Sequence, residues 1–142
     1  MAVLLDTDNI TILQRRIQPE CSRLQDRLDQ LPPDDIGTTI VTFQEQVWGW
    51  MTVLNRADRR DEVVRAYREL ETVLRHFSKL NVVSFTAEAE ERYNLLRKQR
   101  VRIGTMDLRI AAIALVTDST VLSRNLVDFR KVPGLSVEDW TL

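Results

Sequence analysis

Cysteine and histidine are nearly absent from the sequence, which contains one of each, Cys21 and His76. A single cysteine excludes an intrachain disulfide and any zinc site built on several cysteines. We interpret Cys21 as a partly buried helix residue and His76 as a structural or surface residue. The chain also has no serine–histidine–aspartate arrangement, so its chemistry must rest on other side chains.

Long hydrophobic runs and a strong excess of one charge are absent as well. No run approaches the length of a transmembrane helix, and the apolar stretch at residues 1–5 is far too short for a signal peptide. The net charge of −1 excludes a basic nucleic-acid coat, so any contact with RNA must be local or assisted by a cation. We expect one cytoplasmic domain, residues 1–142, with its own core and no membrane association.

Short apolar strands alternate with helices along the chain. This alternation predicts an α/β fold, a three-layer α/β/α sandwich around a short, mostly parallel sheet of about five strands. The predicted strands are residues 2–5, 38–41, 81–84, 119–122 and 135–137. The predicted helices are residues 10–17, 21–31, 42–55, 63–77, 87–98 with Thr86 as cap, 106–115 with Thr105 as cap, and a short turn or helix at 128–129.

Acidic and amide side chains follow the predicted strands at the points where they end, and one more acid begins an apolar helix. In parallel sheets, ligands bind outside the carboxyl ends of the strands, where the following helices begin. The direction of the chain therefore predicts that these side chains share one edge of the sheet. They are Asp6, Asp8, Glu45, Asp107, Asn125 and Asp128.

Each of these residues also has a local structural interpretation. Asp6 can cap the next helix or form an Asx turn, and Asp8 can be the N-cap of the first predicted helix. Glu45 can close a capping box with Thr42, and Asp107 can interact with its helix dipole. These separate explanations do not account for the position of all six residues at one edge.

Carboxylates gathered at one edge repel and raise one another's pKa unless a positive charge lies among them. In a chain with so little cysteine and histidine, the natural counter-ion is a hard cation, Mg²⁺ or Mn²⁺. Such an ion can activate water and neutralise the charge on a phosphodiester that is being cut. The acidic edge therefore favours metal-dependent nuclease chemistry, which needs no nucleophilic side chain.

Four local patterns distributed over the whole chain match a known family. The sequence resembles the PIN-domain ribonucleases, in particular the VapC-type toxins of bacterial toxin–antitoxin pairs. Asp8 stands where the family usually has asparagine, which adds a negative charge. The matching segments are Leu5-Asp6-Thr7-Asp8, Thr39-Ile40-Val41-Thr42 with Glu45, Gly104-Thr105-Met106-Asp107, and Ser123-Arg124-Asn125 with Asp128-Phe129, Pro133-Gly134-Leu135 and Glu138-Asp139-Trp140.

The resemblance implies a PIN-like fold, an acidic site that binds Mg²⁺ or Mn²⁺, cleavage of RNA, and a cognate antitoxin that blocks the site. By position, Asp6, Glu45 and Asp107 are the core acids, and the fourth site residue is either Asn125 or Asp128. We expect Asp6 and Asp107 to bind the cation directly. Glu45 and Asp128 would act through water, and Asn125 would orient a ligand or donate to phosphate.

Two other functions compete with this hypothesis. A phosphoacceptor signalling domain also gathers acids at strand ends, but it needs an aspartate after the third strand and a lysine after the fifth. The sequence has Ser84 and Glu138 there. An acidic cation-binding module without catalysis is the second alternative.

Partner contacts are expected on two parts of the surface. The helices between Gln46 and Phe77, which carry Trp48 and Trp50, are predicted to form a groove for an amphipathic antitoxin helix. A homodimer or a toxin–antitoxin hetero-oligomer would follow. Two arginine- and lysine-rich stretches, residues 56–65 and 98–102, are candidates for contact with RNA phosphate, although acids interleave the first of them.

Overall fold

Five short strands form one all-parallel sheet with the order β3-β2-β1-β4-β5. This computed structural model describes residues 2–142, and Met1, where the predicted domain begins, lies outside them. The predicted number of strands and their parallel direction are confirmed. The strands are β1 Val3–Leu5, β2 Ile36–Thr39, β3 Asn81–Val83, β4 Thr120–Leu122 and β5 Val137–Glu138.

Helices cover both faces of this sheet. In β1, Leu4 packs into one hydrophobic cluster with α5 and α6, whereas Val3 and Leu5 pack into a second cluster with α1, α2 and α4. Alternate side chains of a strand point to opposite faces, so the two clusters are the two filled layers of the predicted α/β/α sandwich. The helices are α1 Thr7–Arg15, α2 Glu20–Leu28, α3 Ile40–Arg56, α4 Arg60–Ser78, α5 Ala87–Lys98, α6 Thr105–Val116 and α7 Leu126–Phe129, with a 3-10 turn at Pro33–Asp35.

The start of α3 differs from the prediction. Strand β2 ends at Thr39, two residues earlier than expected, because the Thr39 hydroxyl accepts a hydrogen bond from the Thr42 backbone N–H at 3.1 Å and caps the helix. The capping box between Thr42 and Glu45 was therefore the wrong interpretation. Glu45 lies in the second turn of α3, so its carboxylate takes no part in capping the helix.

Helix α1 also begins earlier than predicted, at Thr7. The Asp6 side chain accepts from the backbone N–H of Asn9 at 2.9 Å and is the N-cap, so the prediction of Asp8 as N-cap is wrong. Asp8 lies instead in the first turn, exposed to solvent. Because Asp6 is the N-cap of α1, Asp6 alone separates the carboxyl end of β1 from the first residue of the helix.

Helix α6 is almost entirely buried. Ala111, Ala112 and Ala114 are fully buried, and their small side chains allow α6 to pack closely against α5 and the sheet. The helix begins at Thr105 with Gly104 at its N-cap, so Thr105 is the first helical residue and not the predicted cap. Asp107 lies in the first turn, at the end of α6 that faces the carboxyl edge of the sheet.

The two tryptophans of α3 have different environments, as their spacing predicted. Trp48 is 69% exposed, whereas Trp50 is half-buried and packs against the cluster beneath α1 and α4. Cys21 is buried in α2, as expected. Of the helices in residues 2–142, none is both long enough and apolar enough to cross a bilayer.

Candidate active site

A cavity of about 530 Å³ lies at the carboxyl edge of the sheet, and we call it the acidic cavity. Its walls come from β1 and the start of α1, the second turn of α3, the first turn of α6, and the loop after β4. Four of the five candidate catalytic residues line it, and the fifth, Asp128, interacts with them from beside it. The lining residues are Asp6, Thr7, Asp8, Glu45, Asp107, Arg124 and Asn125.

Asp6 is the most buried acid of the cavity, with 7% of its surface exposed. Its carboxylate accepts from the Asn9 backbone N–H at 2.9 Å and from Asn9 Nδ2 at 3.1 Å, and it is hydrogen-bonded to the Ser123 side chain. Burial nevertheless dominates and raises the pKa of Asp6 to about 6, with a small further contribution from the charge of Asp8. Burial therefore destabilises the charged form of Asp6 relative to that of an isolated aspartate.

Glu45 is fixed by a hydrogen bond that sequence analysis did not foresee. The Thr7 hydroxyl donates to Glu45 Oε1 at 2.7 Å and joins the start of α1 to α3. Burial raises the pKa of Glu45, and the negative charge of Asp107 raises it further, while the bond from Thr7 lowers it. A carboxylate with a raised pKa is better able to accept a proton near neutral pH than an isolated one.

Asp107 faces both Glu45 and the loop after β4. Burial raises its pKa first, the charge of Asp128 raises it next, and a hydrogen bond with Asn125 lowers it. Mutual repulsion of the acids is thus real, but it is secondary to burial at Asp6, Glu45 and Asp107. The predicted repulsion therefore raises the pKa of Glu45 and of Asp107, and burial raises both further than repulsion does.

Asn125 and Asp128 act as a unit. Asn125 Nδ2 donates to Asp128 Oδ2 at 3.0 Å, and Lys131 Nζ lies 3.3 Å from Asp128 Oδ1. These two bonds lower the pKa of Asp128, so this carboxylate is ionised more readily than the others. Asn125 lines the cavity and touches Asp107, and Asp128 holds the Asn125 amide in place. The structure places the two candidates for the fourth position next to each other, with Asn125 on the cavity wall and Asp128 hydrogen-bonded to it.

Three residues of the site were missed in the sequence. Arg124 lines the cavity, and its Nε lies 3.6 Å from Asp8 Oδ2, with both side chains about half exposed. This pair neutralises the extra negative charge that Asp8 brings. Asn9 and Ser123 are both hydrogen-bonded to the Asp6 carboxylate. The signals for them were the position of Asn9 three residues after Asp6 and the place of Ser123 and Arg124 in the matched segment that ends at Asn125.

The donor atoms of the cavity suit a hard cation that keeps part of its water shell. All of them are oxygens of carboxylate, hydroxyl or amide groups, which Mg²⁺ and Mn²⁺ prefer. Within residues 2–142, no group of three acidic, histidine or cysteine side chains is placed to enclose an ion. Mg²⁺ usually takes only one or two protein carboxylates and retains several waters. The arrangement therefore fits Mg²⁺ bound by two carboxylates and water, rather than a closed protein cage.

Comparison with known proteins agrees with this geometry. Residues 3–135 match the model of the PIN domain. The chain belongs to the PIN-domain family. Ribonuclease VapC1 of Haemophilus influenzae strain R2866 is 26% identical to this PIN domain over 148 aligned residues, with 99% of each chain covered. Ribonuclease VapC2 of Rickettsia felis is 31% identical over 67 residues, which are 44% of this chain and 50% of that protein.

Solved structures confirm the fold of this PIN domain. VapBC-1 from nontypeable Haemophilus influenzae superposes with a TM-score of 0.76 at 24% identity over the whole of both chains. DNA-bound VapBC from Salmonella typhimurium gives 0.77 at 21% identity, covering 99% of this chain and 98% of that one. The resemblance to VapC-type PIN proteins is confirmed, and relatives that are ribonucleases support a nuclease as the class of activity.

Proposed function

We propose that this PIN domain is a Mg²⁺- or Mn²⁺-dependent endoribonuclease, which hydrolyses RNA phosphodiester bonds as the toxin of a toxin–antitoxin pair. One observation carries the proposal: Asp6, Glu45, Asp107 and Asn125, from four separate parts of the chain, line a single oxygen-rich cavity. The relative that aligns over 99% of the chain is a ribonuclease, which supports RNA as the substrate.

The chemical roles follow from the position of each side chain. Asp6 and Asp107 would hold the cation, which when bound supplies charge neutralisation at the phosphate and makes water more acidic. Glu45, oriented by Thr7, would accept the proton of the attacking water. Asn125, held by Asp128, presents an amide that can donate to a phosphate oxygen.

The phosphoacceptor alternative has no support in this geometry. Strand β3 ends at Val83 and β5 ends at Glu138, so neither the acceptor aspartate nor the lysine of such a site is present at these positions. The acidic module without catalysis is distinguished by a cleavage assay.

The purified protein should cleave single-stranded RNA only when a divalent cation is supplied. We expect no products after EDTA treatment and full recovery when Mg²⁺ or Mn²⁺ is added, because Arg124, the cationic side chain that lines the cavity, is paired with Asp8 and does not replace the ion between Asp6 and Asp107. Products are separated on denaturing gels. Cleavage that persists in excess EDTA would contradict metal dependence, and no cleavage with any cation would favour the non-catalytic module.

The proposed partner is a cognate antitoxin that contributes an amphipathic helix. A toxin–antitoxin complex from Klebsiella pneumoniae has the same fold at 23% identity and a TM-score of 0.67, which supports such an assembly. On this chain, Trp48 and Met51 of α3 are exposed beside an apolar groove, and Trp50 borders a cleft between α1, α3 and α4. These surfaces offer the apolar and mixed lining that a helix would cover.

Hydrogen–deuterium exchange should locate this partner. In a complex with the antitoxin, we expect increased protection of exposed amides and slower local opening in α3 and α4, because a docked helix stabilises the elements it covers. The free PIN domain, measured in parallel, is the reference. Protection confined to β5, at the opposite edge of the sheet, and to α2 beside it would contradict this location.

A further inference from the structure

A second cavity, of about 290 Å³, lies between the end of α5 and the start of α6. We call it the basic groove. Three arginines line it, Arg97, Arg100 and Arg102, together with Tyr93 and Thr105. Lys98 is adjacent in the sequence, so four cationic residues occur within residues 97–102 of a chain whose net charge is −1. Residues 97–102 contain no acidic side chain.

The cations of the basic groove are free to bind an anion. Within residues 2–142, the side chains of Lys98, Arg100 and Arg102 form no ion pair and no hydrogen bond, and all three are exposed. The other arginine-rich stretch is different, because residues 56–65 contain three acids beside four arginines, and Arg59 pairs with Asp61 at 3.1 Å and with Glu62 at 3.1 Å. An anionic ligand is therefore attracted to the groove more strongly than to residues 56–65.

Tyr93 gives the basic groove a fixed wall. Its ring is buried, and the Arg97 guanidinium lies 5.8 Å from the ring centroid while that of Arg109 lies 5.1 Å away. Such cation–π contacts favour a limited set of arginine positions. The groove thus presents at least one arginine in a defined place, which reduces the entropy lost when a ligand is bound.

The basic groove and the acidic cavity meet at the first turn of α6. Thr105 lines the groove, whereas Asp107, two residues later, lines the cavity. Residues two apart on a helix point to different sides, and an α-helix with its side chains is about 10 Å across. A polyanion that crosses this one turn can occupy the groove and reach the acidic cavity at the same time.

We propose that the basic groove binds the sugar–phosphate backbone of single-stranded RNA beside the nucleotide that is cut in the acidic cavity. This inference rests on the proposed ribonuclease function and adds a second, cationic contact site for the same substrate. The acidic cavity repels RNA in the absence of metal, and the groove supplies attraction that is independent of metal. Contacts to phosphate position the strand without reading its sequence.

The test is the salt dependence of RNA binding after two charges of the groove are removed. A variant with Arg100→Gln and Arg102→Gln is compared with the parent, both in the Asp107→Asn background so that cleavage does not consume the RNA. Fluorescence anisotropy of a labelled single-stranded RNA gives the Kd. We expect the slope of log Kd against log salt to fall by about 1.4, and the Kd to rise about 25-fold at about 0.1 M salt, for two lost phosphate contacts.

A control variant removes the same net charge elsewhere. Arg68→Gln with Lys79→Gln, two exposed cations of α4 and its C-terminal cap that lie outside both arginine-rich stretches, should leave the slope and the Kd near those of the parent. If both double variants weaken RNA binding equally, the effect comes from total charge and the proposal is overturned. If the groove variant binds RNA like the parent but loses binding of a short polyglutamate peptide that the parent binds, the groove takes an acidic protein segment and the proposal is also overturned.

Cleavage by the same double variants, made without Asp107→Asn, separates this inference from the proposed function. The groove variant should show a raised KM with little change in kcat, because it loses binding that is equal in the ground and transition states. A parent that never cleaves RNA refutes the proposed function. A parent that cleaves RNA, beside a groove variant with unchanged KM and salt slope, refutes the groove alone.

Discussion

Replacing Asp107 with asparagine should abolish RNA cleavage while the fold stays intact. The change keeps the shape of the side chain but removes one negative charge from the pair proposed to hold the cation. We expect kcat to fall on the order of 10³-fold, because a bound metal supplies several kcal/mol of charge stabilisation in the transition state. Full activity of Asp107→Asn would refute the assignment of the site.

Asp118→Asn is the matched control for this change. Asp118 follows the opposite end of α6 and adopts a left-handed backbone conformation, with φ of 51°, which asparagine tolerates. It should retain full activity. In melting curves at fixed ionic strength, Mn²⁺ should raise the Tm of the parent and of Asp118→Asn but shift Asp107→Asn less, because the ion binds only the folded site. An equal shift in Asp107→Asn would place the cation elsewhere.

The metal-free protein should lose stability as the pH rises from about 4 to about 6, through the titration of Asp6. Its pKa is about 6 in the folded protein against 3.8 for an isolated aspartate side chain. The folded state therefore binds the proton more tightly, and its stabilisation is complete below the unfolded pKa and lost above the folded one. At neutral pH the ionised Asp6 costs on the order of 3 kcal/mol relative to acidic pH.

Asp6→Asn isolates this contribution from all other titrating groups. The asparagine keeps an oxygen that can accept from the Asn9 backbone N–H, and it carries no charge. In denaturant titrations with EDTA, the variant should be more stable than the parent at neutral pH, and this advantage should disappear toward about pH 4. A difference in unfolding free energy that does not vary with pH would contradict burial as the cause of the raised pKa.

Much of the fold was predictable because short apolar runs and turn residues specify it locally. The run at residues 2–5 could only be a covered strand, and Thr86 caps α5 as its sequence indicates. The boundary between β2 and α3 was not predictable in the same way. Ile40 and Val41 favour a strand, but the hydroxyl of Thr39 caps a helix there, and tertiary packing buries Val41 in its first turn.

The acids of the site were predictable, whereas their supporting contacts were not. The carboxyl ends of parallel strands meet at one edge, which brings Asp6, Glu45 and Asp107 together whatever the details of the loops. The bond from Thr7 to Glu45 joins residues 38 apart in the sequence and depends on where α1 and α3 begin. The pairing of Arg124 with Asp8 depends on how the loop after β4 returns to α1, which no local pattern encodes.

Substitutions at the buried alanines of α6 can disturb the acidic cavity, although these alanines do not line it. Ala111 and Ala112 have no exposed surface, so a methyl group added there has no free space and must displace the helix that carries Asp107. Overpacking of this kind costs about 1–3 kcal/mol and shifts the backbone. In a genetic selection for inactive clones, we therefore expect substitutions at these alanines as well as at the acids. The alanine substitutions would inactivate the protein by displacing Asp107, not by removing a group that takes part in the reaction.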